Sequence, residues 1–213
     1  DFCLSRGLGD VYKRQEESKM SKVIAVTNQK GGVGKTTTAI NLSACLAEAG
    51  QRVLTVDFDP QGNTTSGLGV DKNAMENTLY ELLLGQADAK STIVKNVVEN
   101  LDLIPSNVNL SGAEIELIGV DDKEYILKRI TDKIRRKYDY IIMDCPPSLN
   151  MLTINALTAA TSVLVPIQCE YYALEGLSQL IHTIDLVKER LNKRLVMEGV
   201  VFTTVSYTHL RAH

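Results

Sequence analysis

Residues Gln29–Thr38 read QKGGVGKTTT. Just before them, Lys22–Asn28 (KVIAVTN) is a short run of apolar and β-branched residues, the pattern of a buried strand. Just after, Thr36–Ala49 places Ile40, Ala44 and Ala47 near helical spacing and ends at Gly50, a helix stop. A glycine-rich turn between a strand and a helix is the setting in which backbone N–H groups converge on a phosphate. Gly31, Gly32 and Gly34, with Val33 between them, let the chain curl so that successive amides point inward. The N-terminus of the following helix adds partial positive charge. Within this cradle Lys35 is placed to reach β- and γ-phosphates, the Thr36 hydroxyl to ligate Mg²⁺, and Thr37 to touch the α-phosphate.

The loop departs from the common GxxxxGK[ST] pattern, because Gln29 stands where its first glycine would be. It opens instead on a second lysine, Lys30, giving KGGVGKT, a deviant Walker A form.

Outward from the loop the chain keeps alternating. Arg52–Val56 is a second buried strand ending at Asp57, and residues 60–69, rich in Gly, Asn, Thr and Ser, predict a loop. Thr78 caps a short helix, LYELLLG, closed by Gly85. Leu101–Pro105 reads as a strand, and Leu110–Ile118 and Glu124–Tyr138 as helices. In the second of these helices Ile126, Ile130 and Ile134 fall four apart on one face. Tyr140–Met143 is a strand ending at Asp144, and Ser162–Ile167 is another. Leu177–Leu191 is a long amphipathic helix, and Leu195–Val205 begins one more strand. Continuous apolar strands alternating with helices predict a single α/β domain, a mostly parallel twisted sheet with helices on both faces. Ligands in such sheets bind beyond the carboxyl ends of the strands, where the glycine loop, Asp57, Asp59 and Asp144 all fall.

Phosphoryl transfer needs a metal, a placed water and positive charge near the transferring group. Asp144 ends the strand YIIMD and precedes CPPS, the Walker B position for a carboxylate that holds Mg²⁺. Asp57 and Asp59 lie in VDFDPQGN. On extended chain, residues two apart face the same side, so one is expected to support the metal shell while the other orients the attacking water. A lone strand-end aspartate is more often a turn former or a helix cap; three beside a phosphate loop favour chemistry.

Composition narrows the rest. The 23 Lys and Arg nearly balance 26 Asp and Glu, so net charge by itself points to no nucleic-acid partner. No stretch reaches the ~18 consecutive apolar residues of a membrane-spanning helix. Cys3, Cys45, Cys145 and Cys169 form no CxxC pair and suggest neither a disulfide framework nor a zinc site. The last three read as small buried hydrophobes, in keeping with a reducing cytoplasm. Residues 1–19 and 206–213 show no periodicity; GDVYKRQ and SYTHLRAH look like translated adapter text, a non-native leader and tail. The domain is accordingly expected over residues 20–205.

With Lys30, Lys35, DFDPQGN and DCPPS in place, the chain resembles the ParA/Soj family of chromosome- and plasmid-partitioning ATPases. SGAEIEL (Ser111–Leu117), LTINALTA (Leu152–Ala159) and QCEYYALEGLSQL (Gln168–Leu180) extend the likeness from Met20 to about Thr204. The resemblance implies a P-loop NTPase fold and a Mg²⁺-dependent ATPase that forms an ATP-dependent sandwich homodimer. Lys30 would reach across that interface to the partner's nucleotide. Asp59 matches the family's hydrolysis aspartate, Asp57 its metal-side companion and Asp144 its Walker B residue. The ATP-bound dimer would bind DNA without sequence preference, a ParB-type protein would stimulate hydrolysis, and the protein would be cytoplasmic and nucleoid-associated, with no membrane partner. The family's adenine-gripping segment and DNA-contacting arginines are expected past Val205, where SYTHLRAH stands instead, so the fold is expected to be incomplete at the C-terminus. Lys188, Arg190, Lys193 and Arg194 form a basic cluster that either contributes to a DNA face or is a solvated helix end.

Three other readings share part of the pattern. A MinD-like membrane-positioning ATPase has the same loop and acids, but needs an amphipathic C-terminal helix, and EYYALEGLSQL argues against it. A redox ATPase like the nitrogenase iron protein needs cluster-ligating cysteines, for which Cys145 is misplaced. A regulator that binds nucleotide without turnover does not need Asp59 and Asp144.

Overall fold

The computed structural model describes residues 21–168 and 173–203. The leader, the tail and Met20 lie outside the described residues, as do Cys169 and the middle of the QCEYYALEGLSQL stretch. Seven strands form one sheet: β1 (Lys22–Val26), β2 (Val53–Asp57), β3 (Val94–Val98), β4 (Leu101–Ile104), β5 (Tyr140–Asp144), β6 (Ser162–Gln168) and β7 (Val196–Thr203). Their spatial order is β3-β4-β2-β5-β1-β6-β7, with every neighbouring pair parallel except β3 and β4. The chain leaves β1 toward β2 on one side and later returns to β6 on the other, a crevice-forming reversal at the carboxyl ends.

Alternation along the strands feeds two cores. Val23 and Ala25 of β1, Leu54 and Val56 of β2, and Ile141 and Met143 of β5 face one layer. Ile24, Val26, Val53 and Ile142 face the other, where they meet Ala39 and Ala47 of α1 (Lys35–Glu48). The first layer is covered by α3 (Leu79–Leu83), α6 (Ile126–Ile134), α7 (Met151–Ala159) and α8 (Ala173–Arg190). Strands buried on both faces have no polar side to show, which is why they read as unbroken apolar runs.

Several expectations hold in detail. The Thr78 cap is a full capping box with Glu81, and Gly85 closes that helix at φ +72°. Others need correction. Within residues 60–69, expected to be loop, lies a short helix, α2 (Asn63–Gly67). The helix expected over Glu124–Tyr138 has α-helical geometry only across α6, with a 3₁₀ turn at each end. Its innermost residues are Leu127, Thr131 and Ile134, with Ile126 and Ile130 only half-buried. Residues 86–100 carry no periodic signal in the sequence, yet they form α4 (Ala89–Thr92) and the antiparallel edge strand β3. The expected helix over Leu110–Ile118 is α5 (Leu110–Glu116). Helix α7 showed no stripe because it is buried almost all round, so no polar face marks its period. Cys145 is buried as expected, but Cys45 is exposed on α1.

Candidate functional site

The phosphate loop bridges β1 and α1. Gly32 and Gly34 adopt φ of +73° and +83°, the left-handed region that glycine enters without penalty, and Gly34 is the N-cap of α1. The curl turns back far enough for the Lys35 ammonium to donate to the Lys30 carbonyl at 3.0 Å. Burial lowers the Lys35 pKa, while the charges of Asp144 and Asp59 oppose the shift. Gly31, Gly32, Gly34, Lys35, Thr36 and Thr37 line a cleft of about 310 Å³ together with Asp59, Asn63 and Pro147. Lys30 is half-buried at the loop's entrance, its amide donating to Asn28 Oδ1 at 3.0 Å.

The acids arrive through sheet register. Asp57 of β2 and Asp144 of β5 are Cα partners in a parallel ladder, so they sit side by side at the same level. Both are fully buried. Asp144 Oδ2 accepts from the Thr36 hydroxyl at 2.8 Å and the Thr64 hydroxyl at 2.6 Å. Asp57 Oδ2 accepts from the Thr65 amide at 2.8 Å and the Thr65 hydroxyl at 2.6 Å, and its Oδ1 accepts from the Asp59 amide at 3.1 Å. Burial raises the Asp57 pKa to about 7; the hydrogen bonds from Thr65 oppose this and the neighbouring Asp144 charge reinforces it. Burial likewise raises Asp144, against the hydroxyls of Thr64 and Thr36.

The pair Asp57 and Asp59 does not share one side of an extended strand. The Asp59 amide folds back onto Asp57 Oδ1, an Asx-type turn that ends the strand. Asp57 is therefore sealed inside, while Asp59 is half-buried on the cleft wall and caps the turn into α2 through the Gln61 amide at 2.9 Å.

Asp144 Oδ1 is buried and has no hydrogen-bond partner among the described residues. A buried carboxylate oxygen left bare is costly, and a cation beside it removes that cost. The Thr36 hydroxyl and the Asp144 carboxylate are hard oxygen donors of the kind Mg²⁺ prefers. No group of three His, Cys, Asp or Glu side chains among the described residues forms a metal cage. Mg²⁺ is usually held by one or two carboxylates together with substrate phosphates.

Sequence reasoning alone misses the paired threonines, Thr64 and Thr65, which tie α2 to both strand-end acids. Their signal was two adjacent hydroxyl residues after DFDPQGN. The basic cluster Lys188, Arg190, Lys193 and Arg194 is exposed between the end of α8 and the start of β7. Because β7 runs parallel to β6, that places the cluster at the opposite end of the sheet from the phosphate loop.

An AAA domain family matches residues 21–197. Over 184 residues the chain is 59% identical to the sporulation initiation inhibitor protein Soj of Bacillus subtilis, covering 86% of this chain and 73% of that protein. The chain belongs to the ParA/Soj family of partitioning ATPases. The chromosome partitioning protein ParA of Myxococcus xanthus is 51% identical over 203 residues, 94% of this chain and 71% of that one. Among solved structures, a cobyrinic acid a,c-diamide synthase from Mycobacterium smegmatis with bound ADP and magnesium superposes with a TM-score of 0.85 at 44% identity, covering 88% of this chain and 76% of that one. The ParA/Soj assignment agrees with the α/β sheet and with a deviant loop whose second lysine stands at its entrance.

Proposed function

We propose that this ParA/Soj chain binds and hydrolyses ATP with Mg²⁺ as the timing element of DNA partitioning. It forms an ATP-dependent sandwich dimer that holds DNA without sequence preference, and a ParB-type partner stimulates hydrolysis to release it. The observation that carries the nucleotide half of this reading is Asp144. One of its oxygens is bonded to Thr36 at the foot of a curled glycine loop, and the other is buried and bare.

Each residue then has a task. The amides of Gly31 to Thr36 and the start of α1 receive the phosphates, and Thr37 sits where the α-phosphate enters. Lys35 places its ammonium against the β- and γ-phosphates, and its partial burial makes that charge more effective. Thr36 and Asp144 hold the metal side, with Asp57 behind them keeping α2 in place through Thr65. Bound magnesium supplies positive charge to the oxygens of the transferring phosphoryl group. Asp59, which lines the same cleft, orients the attacking water. Lys30, at the loop's outer edge, extends to the nucleotide of the second subunit. DNA held through its phosphates is released by salt, the logarithm of affinity falling by ~0.9 per decade of salt for each phosphate neutralised.

Two substitutions test this reading together. Lys35→Ala should abolish ATP binding in a titration. Lys30→Ala should bind ATP yet remain monomeric by size-exclusion chromatography with light scattering. Undiminished ATP affinity in the first variant removes the loop from its role, and ATP-dependent dimers in the second remove Lys30 from the interface.

A further inference from the structure

The acids occupy one side of the phosphate loop; the ends of β6 and β7 occupy another. Gln168, the last residue of β6, donates through Nε2 to the Gly32 carbonyl at 3.0 Å. Thr203, the last residue of β7, lies 2.8 Å from the Val33 carbonyl and 3.2 Å from the Ile167 carbonyl. Its single hydroxyl proton is best placed for the shorter contact. The Thr203 methyl also approaches the position a Cβ would take on Gly34 to 3.3 Å, so Thr203 packs against the loop as well as bonding to it.

We infer that Gln168 and Thr203 are positioning residues that hold the phosphate loop in its receiving shape from behind. In a trans peptide the N–H points opposite to the C=O, and no cis peptide occurs among the described residues. Drawing the Gly32 carbonyl toward Gln168 therefore aims the Val33 amide the other way. Drawing the Val33 carbonyl toward Thr203 does the same for the Gly34 amide. Two of the amides available to a phosphate are thus fixed by strand ends outside the loop. This preorganisation cuts the ordering cost that a bare glycine loop would meet on binding.

A register shift sets up the clamp. β6 and β7 pair as Val163 with Met197, but then as Leu164 with Gly199, one residue later on β7. The shift carries through to the end, where Gln168 pairs with Thr203. Without it Gln168 would face Phe202, and a one-residue slip turns every side chain to the other face of a strand. The irregularity at Glu198 thus delivers a hydroxyl rather than a phenyl ring to the loop. Lys22 holds that residue by an ion pair of 2.7 Å.

The inference rests on the nucleotide reading above, and the test separates the two. MgATP affinity is measured by equilibrium titration for the parent protein, Thr203→Val, Thr203→Ser, Gln168→Met and Lys35→Ala, alongside the melting temperature without nucleotide. Thr203→Val keeps the shape and removes the donor; it should weaken MgATP binding about 5- to 10-fold, the worth of one hydrogen bond. Thr203→Ser, which keeps the donor, should recover most of that affinity although it loses the methyl. Gln168→Met should weaken binding by a similar factor, with melting temperature little changed. If Thr203→Val and Gln168→Met bind MgATP like the parent while Lys35→Ala does not, the clamp is wrong and the nucleotide reading stands. If Lys35→Ala also binds normally, the nucleotide reading itself has failed. If affinity follows melting temperature, with Thr203→Ser no better than Thr203→Val, Thr203 only supports the fold and the inference is overturned.

Discussion

The carboxyl ends of the central strands and the β3–β4 edge both bury an aspartate, and they treat it in opposite ways. At the edge, Asp102 of β4 is fully answered. It accepts from the Lys95 ammonium, from the Tyr138 hydroxyl at 2.7 Å and from the Asn96 amide at 3.0 Å. Burial alone would raise its pKa, but these donors outweigh burial and hold it below the usual carboxylate range. At the centre, Asp57 and Asp144 lie side by side with hydroxyls and amides; the Lys35 charge acts on Asp144 but forms no ion pair with it among the described residues, and both pKa values are raised. A carboxylate kept for structure is matched inside the chain. The central pair is left partly unmatched, the pattern expected where stability is lost so that a bound ligand restores it.

The largest expected effect is on turnover. Asp59 stands on the cleft wall outside the sealed pair, so Asp59→Ala should keep ATP binding and lower hydrolysis about 10²- to 10⁴-fold, the range for losing a positioned acid–base group. Steady-state phosphate release alongside an ATP titration checks both halves. Ordinary turnover in that variant would move Asp59 from the chemical side of the comparison to the structural one.

Next in size is a pH effect on the nucleotide-free protein. Asp57 has its folded pKa raised from 3.8 to about 7. A raised value means that the folded state binds the proton more tightly than the unfolded chain. Stability from this source is therefore complete below about pH 4 and drains away as pH climbs toward 7. The shift corresponds to at most ~4 kcal/mol. Asp57→Asn cannot titrate, so urea midpoints should show the parent losing ground to the variant as pH rises across that window. A constant gap between the two would mean that Asp57 is not the strained partner. Asp102 carries the opposite sign: its contribution is present above about pH 4 and is lost as pH falls through its lowered folded value.

The contrast also marks what the sequence makes legible. KGGVGKT between a β-branched run and a helical stripe specifies the loop, because the glycines and lysines needed there are contiguous. Strand-end Asp57 and Asp144 are legible for the same reason: each closes an apolar run. Residues whose role depends on register are hidden. Thr203 reaches the loop only because β7 slips by one residue against β6, and no local pattern announces a slip. Thr64 and Thr65 looked like loop composition because a five-residue helix has no period to show. Strand β3 is an edge strand with no fully buried residue and a left-handed Asn96, so it lacks the apolar run that revealed its neighbours. Its partner Asp102 interrupts an otherwise apolar strand, LDLI, and from sequence alone could not be told from a site residue.

The smallest effects lie at that edge, and they complete the comparison. Asp102→Ala would leave the Tyr138 hydroxyl proton, the Asn96 amide and the Lys95 ammonium without their shared acceptor, and should cost about 2–3 kcal/mol of stability with MgATP affinity unchanged. Lys95→Met should cost less, about 1 kcal/mol or below, because the Lys95 side chain is 58% exposed and solvent already screens its charge. The Tyr138 hydroxyl still serves Asp102 in that variant, which loses only the exposed ammonium held 5.3 Å from the Tyr138 ring centroid. Urea denaturation of the two variants ranks them. If Lys95→Met were the more damaging, the ammonium rather than the hydrogen-bonded carboxylate would be the centre of the edge cluster. Asp102 would then resemble Asp144, whose Oδ1 has no hydrogen-bond partner among the described residues.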